Sequence, residues 1–278
     1  LKYIGSIYWH CIAGQTVFPV QTACKFKIPL IIWGAHQGVD QVGMFSHEDE
    51  VEMTRKYRKE HDLMGIEAED LLNLDNSLTK SDLEQYFYPQ DEELETIGVR
   101  GIYLNNYFRW DSKAQHEEMI KRYQYETDKM PRTFDNYNNV ACFHYNGVHD
   151  HIKFLKHGYG VVTDHVNREI RLKRLNRKQG GYIISKFSKD KIKDLDIFLN
   201  LLSIDKNTFY KYLDKFINKK ILIKIKNDWF LRKEYIDKDI SDEFTDNLKN
   251  IIYFYEDSKR SKIIKKNKYT LLGRGWLE

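Results

Sequence analysis

The sequence predicts an α/β protein, a parallel sheet dressed with helices and followed by a mainly helical C-terminal region. Three observations carry this prediction. Leu30-Ile-Ile-Trp33 is a short continuous apolar run, as expected of a buried parallel strand, and Val99-Arg-Gly-Ile-Tyr-Leu104 is a second candidate. The segments around them carry helix caps and helical apolar spacing. No repeat of fixed period and no long low-complexity tract occurs, which argues against solenoids and propellers.

Pro19 suits a first helical turn, and Val20, Ala23 and Cys24 give that helix an apolar stripe before Lys27 and Pro29 stop it. The strand 30–33 then delivers the polar loop Gly34-Ala-His-Gln-Gly38 at its carboxyl end, where open α/β sheets bind ligands. Helices are expected over 48–61 and 65–73, with shorter ones at 82–88 and 91–97. Asp111 is a good N-cap for a helix in which His116, Met119, Ile120 and Tyr123 fall at i, i+3, i+4 and i+7. The stretch 133–149, rich in Asn, Tyr, Phe, Gly and His without a period, reads as loop, closed by a helix at 150–157. Thr163-Asp164 caps a helix to about Arg177, which Gly180-Gly181 interrupts. At 100° per residue, Arg168 falls between Leu172 and Leu175 and is drawn into a partly buried place. A buried arginine requires a carboxylate or phosphate partner. Helices at 194–202 and 205–218 and an alternating stretch at 221–231 form a winged-helix outline. The expected domains are residues 1–178 and 179–278.

The 278 residues suffice for two ordinary domains, and 41% hydrophobic with 31% charged residues excludes a disordered chain. Cys11, Cys24 and Cys142 form no CxxC pair, which excludes a disulfide framework and a zinc ribbon and points to a reducing cytoplasm. No apolar stretch approaches the roughly 20 residues of a membrane span. The net charge of +4 divides unevenly, since residues 161–278 are strongly basic and the first 160 acidic. Such asymmetry fits an acidic or phosphorylated ligand, nucleic acid, or simply a lysine-rich solvated surface. The chain begins with Leu1 rather than Met, which suggests a start inside a longer protein.

Two clusters could carry chemistry. In the first, Gly34 to Gly43, short glycine-bracketed turns present His36, Gln37, Asp40 and Gln41, which supply donors and acceptors where a backbone can approach a nucleotide closely. An Asx-type turn leading into a helix is the plain structural reading of the same residues. In the second, His144, His149, Asp150 and His151 precede Asp164-His165 and the arginines Arg168, Arg171 and Arg174. The histidines and aspartates suit acid–base work, but their spacing matches no metal signature, so no metal is expected. The arginines, with Lys156, suit an anion, although a solvated helix face explains Arg171 and Arg174 equally well. No GxSxG, Walker loop or GxGxxG is present.

The runs His10 to Gln21, Ile28 to Gly34, Arg109-Trp-Asp-Ser-Lys-Ala-Gln115 and Thr163-Asp-His-Val-Asn-Arg-Glu-Ile-Arg-Leu172 resemble the N-acetyl sugar amidotransferases of surface-polysaccharide and O-antigen biosynthesis, over about residues 5–175. Gly34-Ala-His-Gln-Gly-Val-Asp-Gln41 is similar to the Gly-His-x-x-x-Asp-Gln segment of relatives in the PP-loop ATP pyrophosphatases. The resemblance implies a partial PP-loop-type (adenine nucleotide alpha hydrolase-like) sheet. It also implies a reaction in which ATP, with Mg2+, adenylates a sugar acetamido oxygen and ammonia then replaces AMP to give an acetamidino group. The implied partners are a glutaminase that supplies ammonia, a cyclase-like subunit and a nucleotide-activated N-acetyl sugar. The family's Ser-Gly-Gly-x-Asp-Ser pyrophosphate loop is not in this sequence; the expectation is that it precedes Leu1 and that this chain alone does not bind ATP productively. On this resemblance His36, Gln37, Asp40 and Gln41 face ATP or the activated amide. Trp110, Asp111, His144, His149, Asp150, Asp164, His165, Arg168 and Arg171 meet the sugar or its diphosphate. The alternatives are a nucleic-acid-binding module built on 194–232 and the basic run 259–268, disfavoured by the low arginine content beyond residue 177, and a non-catalytic docking subunit.

Overall fold

The structure, a computed structural model, describes residues 1–34, 52–107, 111–136, 143–226 and 228–235, with the backbone alone at Phe143 and His144. It is mixed α/β and divides into two compact units, one holding residues 7–107 and the other residues 1–6 and 111–235. The division between these units falls near Asp111.

In the unit of residues 7–107, helix α1 (Trp9–Phe26) buries Trp9, Ala13, Val17, Val20, Ala23 and Cys24, a stripe that returns every three to four residues. Pro19 lies inside this helix rather than at its start. The stripe on both sides of it outweighs the missing N–H. Lys27 takes a left-handed conformation (φ 54°), and the Ile28 N–H closes the helix on the Ala23 carbonyl at 2.8 Å. Strand β1 (Leu30–Trp33) pairs in parallel with β2 (Arg100–Tyr103), Leu30 opposite Arg100 and Trp33 opposite Tyr103. One face of the pair packs through Ile31 on Val17, Val20 and Tyr88, with Met53 and Leu94. Gly101 is required there, because a Cβ would come within 2.8 Å of the Met53 Cβ.

The expected helix at 48–61 is, over its described part, only the short α2 (Arg55–Tyr57), capped by Thr54, and a π-helical turn over Arg58–Asp62. Helix α3 (Ala68–Leu74) opens with a capping box made by Glu67 and Asp70. A 3₁₀ turn (Ser81–Tyr86) follows. Helix α4 (Asp91–Ile97) has three acidic residues in its first turn and Gly98 (φ 73°) at its end, and β2 comes directly after.

In the other unit, α5 (Ser112–Tyr123) starts on Asp111, whose side chain accepts the Ala114 N–H. The apolar stripe read for this helix is not its buried face. Ser112, Lys113 and Glu117 are buried, Met119 is exposed and Tyr123 is 71% exposed. The ion pair between Lys113 and Glu117 lets a polar face go inward. Helix α6 (Phe143–His157) occupies much of the stretch read as loop. Its buried residues Val148, Ile152 and Leu155 keep helical spacing that the surrounding Asn, Gly and His obscured. Helix α7 (Val161–Arg171) ends before Arg177, and α8 (Arg177–Phe187) runs through Gly180-Gly181 instead of breaking there. Gly180 is a packing residue, since a Cβ would lie 2.6 Å from Val166 Cγ1 and 3.0 Å from Ile170 Cδ1. Phe134, Val162, Val166, Leu175, Tyr182 and Ile183 form the core between α7 and α8. Helices α9 (Leu195–Leu202) and α10 (Lys206–Leu213) and the antiparallel hairpin of β3 (Leu222–Ile225) and β4 (Asp228–Leu231) reproduce the helix–helix–hairpin order read from the sequence.

Candidate functional site

The helical unit is built around a continuous buried network of charge. Arg174, just past the end of α7, donates from Nη1 to Asp111 Oδ2 at 2.8 Å and from Nη2 to Glu169 Oε1 at 3.0 Å, and its Nε bonds Glu169 Oε2. Glu169 also accepts from Arg168 Nε at 2.9 Å, and Arg168 Nη2 donates to Asp135 Oδ2 at 3.0 Å. All five side chains are buried. Two guanidiniums thus stand among three carboxylates. The arginines hold the Glu169 carboxyl below its usual range even though burial alone would raise it. Carboxylate bonds likewise push Arg174 above the ordinary guanidinium value against burial.

The network continues to His165. The Asp135 N–H donates to Thr133 Oγ1 at 3.3 Å, and the same hydroxyl shares a hydrogen bond of 2.7 Å with His165 Nδ1. His165 Nε2 has no hydrogen-bond partner among the described residues and stands 3.9 Å from Asp135 Oδ2. Burial lowers the His165 pKa to about 4, so the ring is neutral. Phe134 meets it edge-on, with centroids 6.1 Å apart.

A second cluster joins α6 to the start of α7. Asp150 accepts from Arg132 Nε and from the Val161 N–H, so it caps α7 from outside that helix. Gly160 must lack a side chain, since a Cβ would lie 2.6 Å from Asp150 Oδ1. Arg132, left-handed at φ 61°, also donates to the Asp190 carbonyl at 2.6 Å. One turn into α7, Asp164 pairs with Lys153. Burial raises the Asp164 pKa, with Lys153 and Arg171 pulling against it. His149 and His151 titrate near 4 through burial, and the Tyr210 hydroxyl lies 3.3 Å from His151 Nε2.

Of the residues singled out from the sequence, Asp111, His165 and Arg168 belong to the first network. His149, Asp150 and Asp164 belong with the second cluster, and Arg171 acts electrostatically on Asp164. His144 lies in the first turn of α6. His36, Gln37, Asp40, Gln41 and Trp110 lie outside the described residues, as does Cys142. Arg168 has the carboxylate partners that its buried position demanded. Arg174 is fully engaged as well, not part of a solvated face. Sequence reasoning missed Thr133, Asp135, Glu169 and Arg132. Glu169 alone had a signal, its position next to an arginine already expected to be buried. Among the described residues, no group of three His, Cys, Asp or Glu is arranged to hold a metal ion, and no helix is long and apolar enough to cross a membrane.

The fold and site define an α/β protein whose helical unit carries a buried carboxylate–arginine network and a cluster of paired lysine, arginine and aspartate side chains. Residues 117–236 of the chain are similar to the C-terminal domain of WbpG-like LPS biosynthesis proteins, a similarity that points to a role in lipopolysaccharide biosynthesis. The matched segment holds every member of both clusters except Asp111. No curated protein matches the chain.

Proposed function

We propose that the chain is the sugar-recognising part, with a portion of the catalytic sheet, of an ATP-dependent N-acetyl sugar amidotransferase that converts an acetamido to an acetamidino group. The observation that carries this reading is the family similarity over 117–236, which contains the run Thr163 to Leu172 that resembles those enzymes. The ammonia donor is a glutaminase partner, assisted by a cyclase-like subunit, and the setting is the cytoplasmic stage of O-antigen assembly.

An amide oxygen leaves poorly until it is activated, and ATP supplies that activation. The residues for it are His36, Gln37, Asp40 and Gln41, which follow the carboxyl end of β1, where ligands bind in open α/β sheets. The described residues offer no three-ligand group for Mg2+, so no step is assigned to the metal. On the sugar side, Lys153 and Arg171 flank Asp164 and supply the positive charge for a diphosphate, with Asp164 and His149 as proton-exchanging groups. Arg168, one turn beyond Asp164 on α7, is held by Asp135 and Glu169.

The test separates binding from turnover. Calorimetry of the full chain with UDP-linked N-acetyl sugars is expected to show binding, with Arg171→Ala weakening it about tenfold, the effect of one charge-assisted bond. Turnover with ATP, Mg2+ and ammonium is read as replacement of the acetamido oxygen by NH in the product mass. No sugar-nucleotide binding by a folded chain would overturn the reading.

A further inference from the structure

The unit of residues 7–107 contains a charged side chain that the proposed chemistry does not use. Arg58 opens the π-helical turn between α2 and α3, and its side chain is 2% exposed. Turns of this kind are uncommon and concentrate at functional sites. Nη2 of Arg58 bonds Glu67, but that carboxylate is shared. Arg55 donates to both of its oxygens, at 3.1 and 3.2 Å, and Lys59 Nζ stands 3.2 Å away. Three cations therefore divide one buried carboxylate. Arg58 Nε and Nη1 are buried with no hydrogen-bond partner among the described residues. The guanidinium lies over the Tyr88 ring, 4.3 Å from its centroid, which satisfies one face of the group and none of its in-plane N–H donors.

A buried guanidinium with open donors costs more than almost any other arrangement of a side chain, unless something polar meets it. Its surroundings select what that is. Burial works against the Arg58 charge more strongly than Glu67 supports it, so added negative charge is favourable. Trp33, at the carboxyl end of β1 and opposite Tyr103, likewise has a buried indole N–H with no partner among the described residues. Asp62, at the end of the turn that Arg58 opens, feels the Arg58 charge, but burial still raises its pKa to about 6, and Arg58 Nε and Nη1 stay open beside it. The group that completes these two donors is an acceptor carrying negative charge.

We infer that Arg58 is the centre of an oxyanion-binding site, taking the phosphoryl or carboxylate group of a small ligand on its Nε and Nη1 donors. The site rests on residues 7–107 alone and stands whether or not the helical unit binds a sugar nucleotide.

The experiment is thermal unfolding of the full chain in inorganic phosphate, in acetate, and in chloride at matched ionic strength. A ligand that binds only the folded state raises the transition temperature with a saturating dependence. Phosphate is expected to raise it beyond chloride, with apparent affinity at least tenfold weaker in Arg58→Lys and unchanged in the exposed Arg100→Ala. An equal response to acetate assigns a carboxylate ligand, and a response to phosphate alone assigns a phosphoryl group. No response beyond chloride to either anion, or a response that survives intact in Arg58→Lys, overturns the inference. Should Arg58→Lys fail to fold, the Arg58 Nε–H resonance of the wild-type chain, identified by its contact with the Tyr88 ring, decides. It must move saturably with the anion, and a stationary resonance refutes the site.

Discussion

Mild acid is expected to unfold the helical unit, because its histidines are buried neutral. His165 titrates near 4 in the folded protein against an ordinary value of 6.5. A lowered folded pKa means that the unfolded chain binds the proton more tightly, so stability is complete well above 6.5 and falls as pH drops toward 4. For one such group the loss is about 0.8 kcal/mol at about pH 6 and about 2 kcal/mol at about pH 5. His149 and His151 titrate near 4 for the same reason, so the three together remove up to about 6 kcal/mol at about pH 5. Asp164 works the other way, since its raised pKa favours the folded state as pH falls, and it trims the total. A domain stable by about 5–15 kcal/mol is left with little. The assay is thermal unfolding by circular dichroism at constant ionic strength, from about pH 7.5 to about pH 5. The transition is expected to fall by roughly 10–20 °C, and by about a third less in His165→Gln. An unchanged transition, or a His165→Gln variant with the wild-type slope, would refute the reasoning.

Three further outcomes are expected. Arg174→Ala strands Asp111 as a buried carboxylate and leaves Glu169 with Arg168 alone, and should cost about 3–5 kcal/mol in urea unfolding, whereas truncating exposed Arg122 should cost under about 1 kcal/mol. Gly180→Ala drives a methyl into Val166 and should destabilise by about 1–3 kcal/mol even though alanine is the better helix former, a reversal of sign that the same unfolding curves would show. Pro19→Ala restores a donor inside α1 and should stabilise the unit of residues 7–107 by about 1–3 kcal/mol, read as slower hydrogen exchange along that helix.

The elements legible in the sequence were those whose signal is local. β1, β2, α4, the Asp111 cap and the helix–helix–hairpin order all depend on residues within a few positions of one another. Where the reading failed, burial and packing decided rather than residue preference. Pro19 is tolerated inside α1 by burial on either side, and Gly180 stays helical because α7 lies against it. α5 turns a polar face inward because Lys113 has Glu117 to meet. The site shows the same division. Burial of Arg168 followed from its angular position, whereas its partner Asp135 is 33 residues away and no spacing rule reaches it.

Asp111 performs two duties that constrain how the sequence can drift. It starts α5 through the Ala114 N–H and neutralises Arg174 through its other oxygen. Serine or asparagine would serve the first duty and abandon the second. An apolar residue at 174 would be tolerated only if position 111 lost its charge in the same lineage, since Glu169 would keep Arg168. Variants of this protein should therefore change positions 111 and 174 together or not at all, a linkage across some sixty residues of chain that sequencing of natural variants can detect.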